Sequence, residues 1–401
     1  MAVDTPARVI VVGAGPIGIE AALYARFLGY EVIVFDSGEV GANLQKWGHV
    51  PLFTPFEQNS TPLGKSALQA QDENYQPPAD EQLLTGRQLL EHYLKPLSQT
   101  DLVADCFKLN HKVISIARKE KIKTEDSEDR EQRAETPLVT LVEDADGHQH
   151  LFESEVVLDC SGVYGQANYI GSGGNPALGE LAARDHIHCG VLDLEGSDAQ
   201  HFANQQTLVI GAGYLAASNV CLLSKLARES METHVTWITR EPKGESGPIA
   251  LPPDDNLPER NKMIAEANRL ACEDDGHIDH WPETTIKAVH YEPQNDHFHV
   301  TLEGKHSGVH TFDRIVANVG FRPNLDMLRE LQIETSYANE SHTAATVHHP
   351  EPNFYILGAK SFGRDPGFVL SNGFDQIRQV FSIIGDRENL NLYARPSTDS
   401  N

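Results

Sequence analysis

Arg8-Val-Ile-Val-Val-Gly13-Ala-Gly15-Pro-Ile-Gly18-Ile-Glu-Ala-Ala-Leu-Tyr-Ala-Arg-Phe-Leu-Gly29 is the stretch of this 401-residue chain on which the fold turns. After Arg8 the next four residues form a continuous apolar run, as a parallel strand buried on both faces requires. After the glycines, apolar residues recur at helical spacing and Gly29 is placed to end the helix. Each glycine between strand and helix has a mechanical reason. Gly13 permits a tight turn, Gly15 lets a pyrophosphate approach the backbone, and Gly18 lets the helix pack close to the strand. The helix N-terminus adds N–H groups and partial positive charge. A second strand, Glu31-Val-Ile-Val-Phe35, then delivers Asp36, 18 residues beyond Gly18, where a carboxylate accepts from a ribose hydroxyl. Strand, helix, strand and acid in this order predict dinucleotide binding.

A second turn of the same kind, Gly211-Ala-Gly213-Tyr-Leu-Ala216, follows Thr207-Leu-Val-Ile210 and opens another apolar-periodic helix. The next strand, His234-Val-Thr-Trp-Ile238, ends in Thr239-Arg240 where the first unit has its acid. An arginine there can form a charge-assisted pair with a 2′-phosphate, which favours NADPH over NADH. The plainer alternative is a solvated loop charge, since arginines are common at the surface. Lys243 adds little.

The chain is long enough for two or three domains. Its formal net charge of −26 argues against nucleic acid or an anionic membrane surface as a partner. No basic segment leading into an apolar signal core precedes the first strand, and no long apolar run is free of glycine or polar interruption, so a cytoplasmic location is expected. Five cysteines, at 106, 160, 189, 221 and 272, form no Cys-x-x-Cys pair and no zinc spacing. Among the 19 histidines, His297 and His299 alternate onto one strand face, and His277 and His280 lie close together. Neither group brings a carboxylate or cysteine at a recognisable spacing, so no metal site is expected.

Two further segments look like domain crossovers: Glu155-Val-Val-Leu-Asp-Cys-Ser-Gly162, and Ile315-Val-Ala-Asn-Val-Gly320-Phe-Arg-Pro-Asn324 after the second nucleotide unit. With them in place the chain resembles, over nearly its whole length, the flavoproteins with two dinucleotide-binding domains. That superfamily includes thioredoxin-reductase-like, bacillithiol-disulfide-reductase-like and flavin-containing-monooxygenase-like proteins. The resemblance implies an α/β fold with two Rossmann-like domains, the NAD(P)-binding one inserted into the FAD-binding one. It implies an FAD domain over residues 1–170, an NAD(P)H domain over 171–325 and a return segment over 326–401.

Carried over to matching positions, the resemblance assigns Gly13, Gly15, Pro16, Ile17, Gly18, Asp36 and Ser37 to FAD, and Gly211, Gly213, Tyr214, Leu215, Ala216, Thr239 and Arg240 to the nicotinamide nucleotide. It places Asp159 to Gly162, including Cys160 and Ser161, at the first crossover beside the cofactor. In the returning strand, the turn at Gly358-Ala359 approaches the flavin chain, and a helix beginning near Gly367-Phe368 faces the pyrimidine end of the ring. Gly367 and Gly373 are equally readable as a helix entrance and a close-packing site. Lys360 stands where the family usually has an aspartate, so the contacts expected there are those of the Gly358 and Ala359 backbone.

The stretch Gly41 to Phe56 gathers aromatic, histidine and proline residues into one loop-like segment, and in relatives it passes under the flavin. It supplies the candidates Asn43, Lys46 and Trp47 for the cofactor. Trp47 and His49 are the candidates for chemistry: Trp47, with Phe53, would wall the ring or substrate, and His49 would move a proton near it. All three are also readable as core residues that anchor a loop. Thr85 to Leu97 reads as a helix with Thr85 as N-cap. Lys119 to Pro137 is a charged stretch read as a solvated hairpin extension or local disorder, with no chemistry assigned, and the final Arg395-Pro-Ser-Thr-Asp-Ser-Asn401 reads as a frayed tail.

Absences narrow the reaction. Relatives that reduce thioredoxin or glutathione pass electrons through a cysteine pair, which this chain lacks, and Cys160 reads as a buried small apolar residue. Nor does Gly162-Val-Tyr-Gly-Gln-Ala-Asn-Tyr-Ile-Gly supply the signature of a Baeyer-Villiger monooxygenase; its Asn168 and Tyr169, with Asn175, are candidates for lining the cofactor cleft. The leading expectation is an FAD-dependent oxidoreductase passing hydride from NADPH to flavin and then directly to a small-molecule acceptor. Flavin-dependent monooxygenation at nitrogen or sulfur, and a non-catalytic redox sensor, stay open, as does a homodimer.

Overall fold

The computed structural model describes residues 2–126, 129–250, 257–273, 276–334 and 347–394. The chain divides into two compact units: residues 1–166 with 321–401, and residues 167–320 inserted between them. The expected boundaries at 170 and 325 each fall a few residues inside the neighbouring unit. The cause is local pairing: Ile170 is buried in the second unit's core and Asn168 donates its N–H to Gly320 O, while Arg322 donates to Gln166 O and Phe321 packs edge-on against Tyr164.

The first unit is built on a five-stranded parallel sheet. Its strands are β1 (Arg8–Val12), β2 (Glu31–Phe35), β3 (Phe107–Lys108), β7 (Val156–Asp159) and β15 (Phe354–Ile356), in the order β15-β7-β1-β2-β3. Period-two alternation decides which residue meets which layer. Val9 and Val11 pack with helix α1 (Pro16–Phe27) and the Leu370–Ile384 helix, whereas Ile10 and Val12 pack toward a three-stranded antiparallel sheet of β4 (Lys112–Arg118), β5 (Leu138–Glu143) and β6 (Gln149–Ser154). Burial on both faces is why β1 reads as unbroken apolar sequence. The α1 helix ends at Leu28, and Gly29 takes the left-handed conformation at φ +92°.

The second unit repeats this plan. A parallel sheet of β8 (Gln206–Ile210), β9 (His234–Ile238), β10 (Ile278–Trp281) and β14 (Arg314–Ala317) runs in the order β10-β9-β8-β14. Val209 faces the Tyr214–Glu229 helix through Ala216, Val220 and Leu223. Leu208 and Ile210 face the antiparallel sheet of β11 (Thr284–Glu292), β12 (His297–Gly304) and β13 (Gly308–Phe312) through Phe298, Val300 and Leu302. In both units the strand ahead of the glycine turn is flanked by strands that leave it in opposite directions. That is the topological switch point where open parallel sheets bind nucleotides.

Three segments differ from the sequence reading. Thr85 caps its helix through a reciprocal box with Gln88, but the helix passes into a π-turn at Leu90–Leu94 before Lys95–Ser98, next to Pro96, which has no N–H to give. The return helix starts at Leu370, not near Gly367; Gly367 sits in a turn, donating its N–H to Asp365 Oδ1 at 2.8 Å.

The charged stretch at 119–137, expected to be solvated, carries a fully buried arginine. Arg133 forks onto Glu351 with bonds of 2.9–3.1 Å, and Arg118 reaches the same carboxylate at 2.8 Å, all three side chains being excluded from solvent. Backbone carbonyls of Ile122, Glu125, Thr136 and Pro352 take further guanidinium N–H groups. A buried cluster with two cations on one anion is tolerated because its donors find acceptors. The final residues 395–401, read as a tail, lie outside the described residues. No helix among the described residues is long and apolar enough to cross a membrane.

Candidate functional site

At the first switch point each glycine has a distinct steric role. Gly13 has φ +106°, and a Cβ there would lie 2.7 Å from Cys160 O, so the turn presses directly on the crossover after β7. A Cβ on Gly18 would lie 1.8 Å from Gly13 O, leaving no room for any side chain. Over Gly15 nothing lies within 4 Å. Two glycines are therefore consumed by packing, and the middle one faces open space at the N-cap of α1, with Pro16 in the first turn. Ile17 is turned inward, its side chain filling the places that side chains on Gly358 and Gly373 would occupy. Gly373 is thus a close-packing position.

Asp36 stands at the C-terminal end of β2. Its Oδ2 accepts from Ala14 N–H at 2.6 Å and its Oδ1 from Gly38 N–H at 2.8 Å. The carboxylate is held beside the glycine turn by backbone donors, each oxygen keeping lone-pair capacity for a further donor. Ser37 is exposed beside it.

Beyond β2, Ala42–Lys46 is a short helix with Trp47 at its C-cap, where the sequence had suggested only a loop. Lys46 donates to Asn43 Oδ1 at 3.1 Å. Trp47 rests on Gly86, where a Cβ would meet its ring at 2.7 Å, and lies 5.9 Å from the ring of Tyr164. Trp47 Nε1 and His49 Nε2 are buried with no hydrogen-bond partner among the described residues. Two orphaned buried polar atoms two residues apart are costly unless something supplies partners. Phe53 is half-buried.

The crossover and the return segment meet in an arrangement the sequence did not announce. Lys360 Nζ lies 2.6 Å from Asp159 Oδ2, with side-chain exposures of 1% and 0%. Ser161 joins them: its N–H and hydroxyl donate to Asp159 Oδ1 at 3.1 and 2.6 Å, and its hydroxyl accepts from Lys360 at 3.1 Å. The lysine is therefore turned into the protein, and the ammonium is spent on the crossover. Gly162, next in the chain, has φ +69° and open space above it. Cys160 is buried, and burial raises its thiol well above the ordinary range, with the Asp159 charge adding to the effect. It is no thiolate nucleophile. Gly358 is fastened by Gln376, which accepts its N–H at 2.8 Å and donates to Ser361. Ala359 follows half-buried, and Phe368 packs edge-on against Phe362.

The second switch point has the same sterics. A Cβ on Gly211 (φ +123°) would lie 2.3 Å from Asn318 O, while Gly213 has nothing within 4 Å and Ala216 is fully buried. Where the first unit uses an ion pair, this one uses amides: Asn219 Nδ2 donates to Asn318 Oδ1 at 2.8 Å, and both side chains donate to Gly190 O. The buried Trp237 donates to Gly211 O at 2.7 Å. None of Asn219, Asn318 or Trp237 was singled out from sequence; each lies in or directly after an element whose apolar pattern masks it.

Tyr214 lies under the Arg260 guanidinium at 4.6 Å, and Leu215 is half-buried. Thr239 was a candidate for the nucleotide, but its side chain is turned inward to His280 Nε2 at 2.9 Å. Burial pushes His280 down to about 4, so this imidazole is neutral. Arg240 remains at the surface, its side chain 82% exposed, with Glu241 at 3.3 Å. Asn168 is buried, donating to Val319 O at 3.0 Å, and Arg184 lies over the Tyr169 ring at 5.5 Å.

Residues 10–137 match a family model described as pyridine nucleotide-disulphide oxidoreductase. No curated protein sequence matches the chain. Among solved structures, the fold is similar to a bacillithiol disulfide reductase from Bacillus cereus, at TM-score 0.69 and 16% identity over 95% of this chain and 99% of that one. It is similar to the thioredoxin reductase of T. acidophilum, at TM-score 0.59 and 16% identity over 95% and 98%. A flavin-containing monooxygenase from Stenotrophomonas maltophilia matches at TM-score 0.57 and 18% identity over 94% and 98%. The N-terminal part thus matches that family model, and nearly the whole length shares the fold of these solved structures.

Proposed function

We propose that the protein is an FAD-dependent NAD(P)H oxidoreductase, with FAD in the first unit and NADPH in the second, that hands electrons directly to a small acceptor. The observation that carries the reading is the pair of glycine turns at switch points, each with its middle glycine facing open space and its first pressed on a crossover. The residues present fit the cofactors. Gly15 and Gly213 leave room for a pyrophosphate, and Asp36 has capacity for a ribose hydroxyl. When bound, the flavin accepts hydride from reduced nicotinamide and releases two electrons to the acceptor.

The chain's own groups have these roles in the proposal. The α1 N-terminus and the Gly13–Gly15 backbone hold the diphosphate, and Asp36 orients the adenosine end. Trp47 and His49 lie at the flavin end, where Trp47 excludes water and His49 moves a proton at Nε2. Arg240 receives the 2′-phosphate. Direct transfer is favoured because all five cysteines are free, and those at 106, 160, 189 and 221 have thiols raised by burial. The acceptor is a small molecule, in keeping with a cytoplasmic enzyme.

Anaerobic mixing of the purified yellow protein with NADPH tests the first half-reaction: bleaching is expected, and failure with both NADPH and NADH would leave a sensor as the better reading. Reoxidation is then followed with disulfides, quinones, amines and sulfides. Acceleration by a disulfide or quinone without oxygen supports the reductase, whereas oxygen-dependent turnover that hydroxylates an amine or sulfide would replace it with a monooxygenase.

A further inference from the structure

The β11–β12 hairpin of the second unit carries side chains that nucleotide binding does not use. Its register sets Glu292 directly opposite His297 and His290 opposite His299, so all four share one face. Phe298, Val300 and Leu302 alternate with the histidines into the core, which turns His297 and His299 outward. Strand pairing thus provides the carboxylate that linear spacing had not revealed.

Three donor atoms converge there. His297 Nε2 lies 2.9 Å and His299 Nε2 3.5 Å from the same oxygen, Glu292 Oε2. The two Nε2 atoms are 3.3 Å apart. Imidazole nitrogens facing at that distance repel, lone pair against lone pair or hydrogen against hydrogen, unless a proton or metal cation is shared. Tetrahedral zinc with Zn–N of about 2.0–2.1 Å sets neighbouring ligand atoms roughly 3.3 Å apart. Surrounding groups orient the donors: Asn295 Nδ2 donates to Glu292 Oε2 at 3.0 Å, and Thr311 Oγ1 on β13 lies 3.3 Å from His299 Nδ1. If Nδ1 donates to that hydroxyl, the Nε2 lone pair is left for a metal. Side-chain exposures of 21%, 41% and 33% for His297, His299 and Glu292 leave a path of entry and room for water ligands.

We propose that Glu292, His297 and His299 form a divalent transition-metal site, bound through two imidazole nitrogens and one carboxylate oxygen with water completing the shell. The nitrogen donors favour Zn²⁺ or a similar borderline ion over Mg²⁺ and Ca²⁺, which take oxygen. A bound ion ties the end of β11 to the start of β12 and so stabilises the second unit without touching either glycine turn.

The test is calorimetric titration of the metal-free, full-length protein with ZnCl₂ alone, beside Glu292→Gln, His297→Ala, His299→Ala and Cys272→Ser, the last removing the exposed thiol. One saturable site per chain is expected, weakened at least about tenfold by each of the first three substitutions and unchanged by the fourth. Zn²⁺ should also raise the melting temperature of the wild type but not of His299→Ala. The proposal is overturned if the wild type shows no saturable binding, if the three ligand variants bind as tightly as it does, or if Cys272→Ser alone abolishes binding. In the first case the cluster is a proton-sharing surface ion pair.

Discussion

Lys360 and Asp159 form an ion pair of 2.6 Å from which water is excluded on both sides, and it joins the turn after β15 to the crossover after β7. Ser161 bonds to both, so the chain entering Gly162 is fixed in direction by a lysine far along the sequence. Removing one member of such a pair strands a charge in the interior, whereas removing both at similar volume costs far less. Lys360→Met is expected to destabilise the protein by about 3–5 kcal/mol in urea denaturation. The double variant with Asp159→Asn should recover part of that loss. A double variant no more stable than the worse single would show that the pair is not coupled.

Gly15 and Gly18 separate binding from folding. Gly15→Val fills open space, so the fold should survive while bound FAD is lost; a variant that purifies fully yellow would contradict the phosphate placement. Gly18→Ala instead drives a methyl into Gly13 O and should lower stability by roughly 1–3 kcal/mol. Thermal denaturation with absorbance of bound chromophore reads both effects.

Arg240 is exposed, as is Glu241 beside it, so Arg240→Ala should leave the melting temperature unchanged. Loss of a charge-assisted phosphate pair should weaken NADPH by roughly 1–3 kcal/mol, or about 5- to 150-fold, with little effect on NADH. Equal losses in kcat/KM for the two nucleotides would argue for a solvated loop charge.

Glu20, on α1, is buried beside Thr61 and Tyr93, and desolvation raises its carboxyl from 4.5 to about 7 despite a hydrogen bond from Thr61. The folded state therefore holds a proton that the unfolded state releases above pH 4.5. Stability from this group is complete below that pH and declines as pH rises through about 7, by about 3 kcal/mol in all. Glu20→Gln should flatten that slope in denaturation measured from pH 4.5 to 8. An unchanged slope would assign the pH dependence to other groups.

Local sterics explain how much was legible beforehand. Gly13, Gly15 and Gly18 stand within one turn, and the apolar runs of β1 and β8 answer to burial on both faces, so short windows of sequence carry these features. The inward turn of Thr239 was not legible, because it depends on His280 in a strand that pairs with β9 only after folding. Arg133 was misread for the same reason: within 119–137 it is one charge among many, and its partner Glu351 lies 218 residues away.

By itself, then, the sequence determined two strand–turn–helix units with an acid after one and an arginine after the other, because a turn's sterics and a strand's burial are written in neighbouring residues. Only the tertiary structure decided which charges neutralise one another. Lys360 meets Asp159, Arg118 and Arg133 share Glu351, and Glu292 joins His297 and His299, since a Coulombic partner is chosen by distance in space and strand register sets that distance.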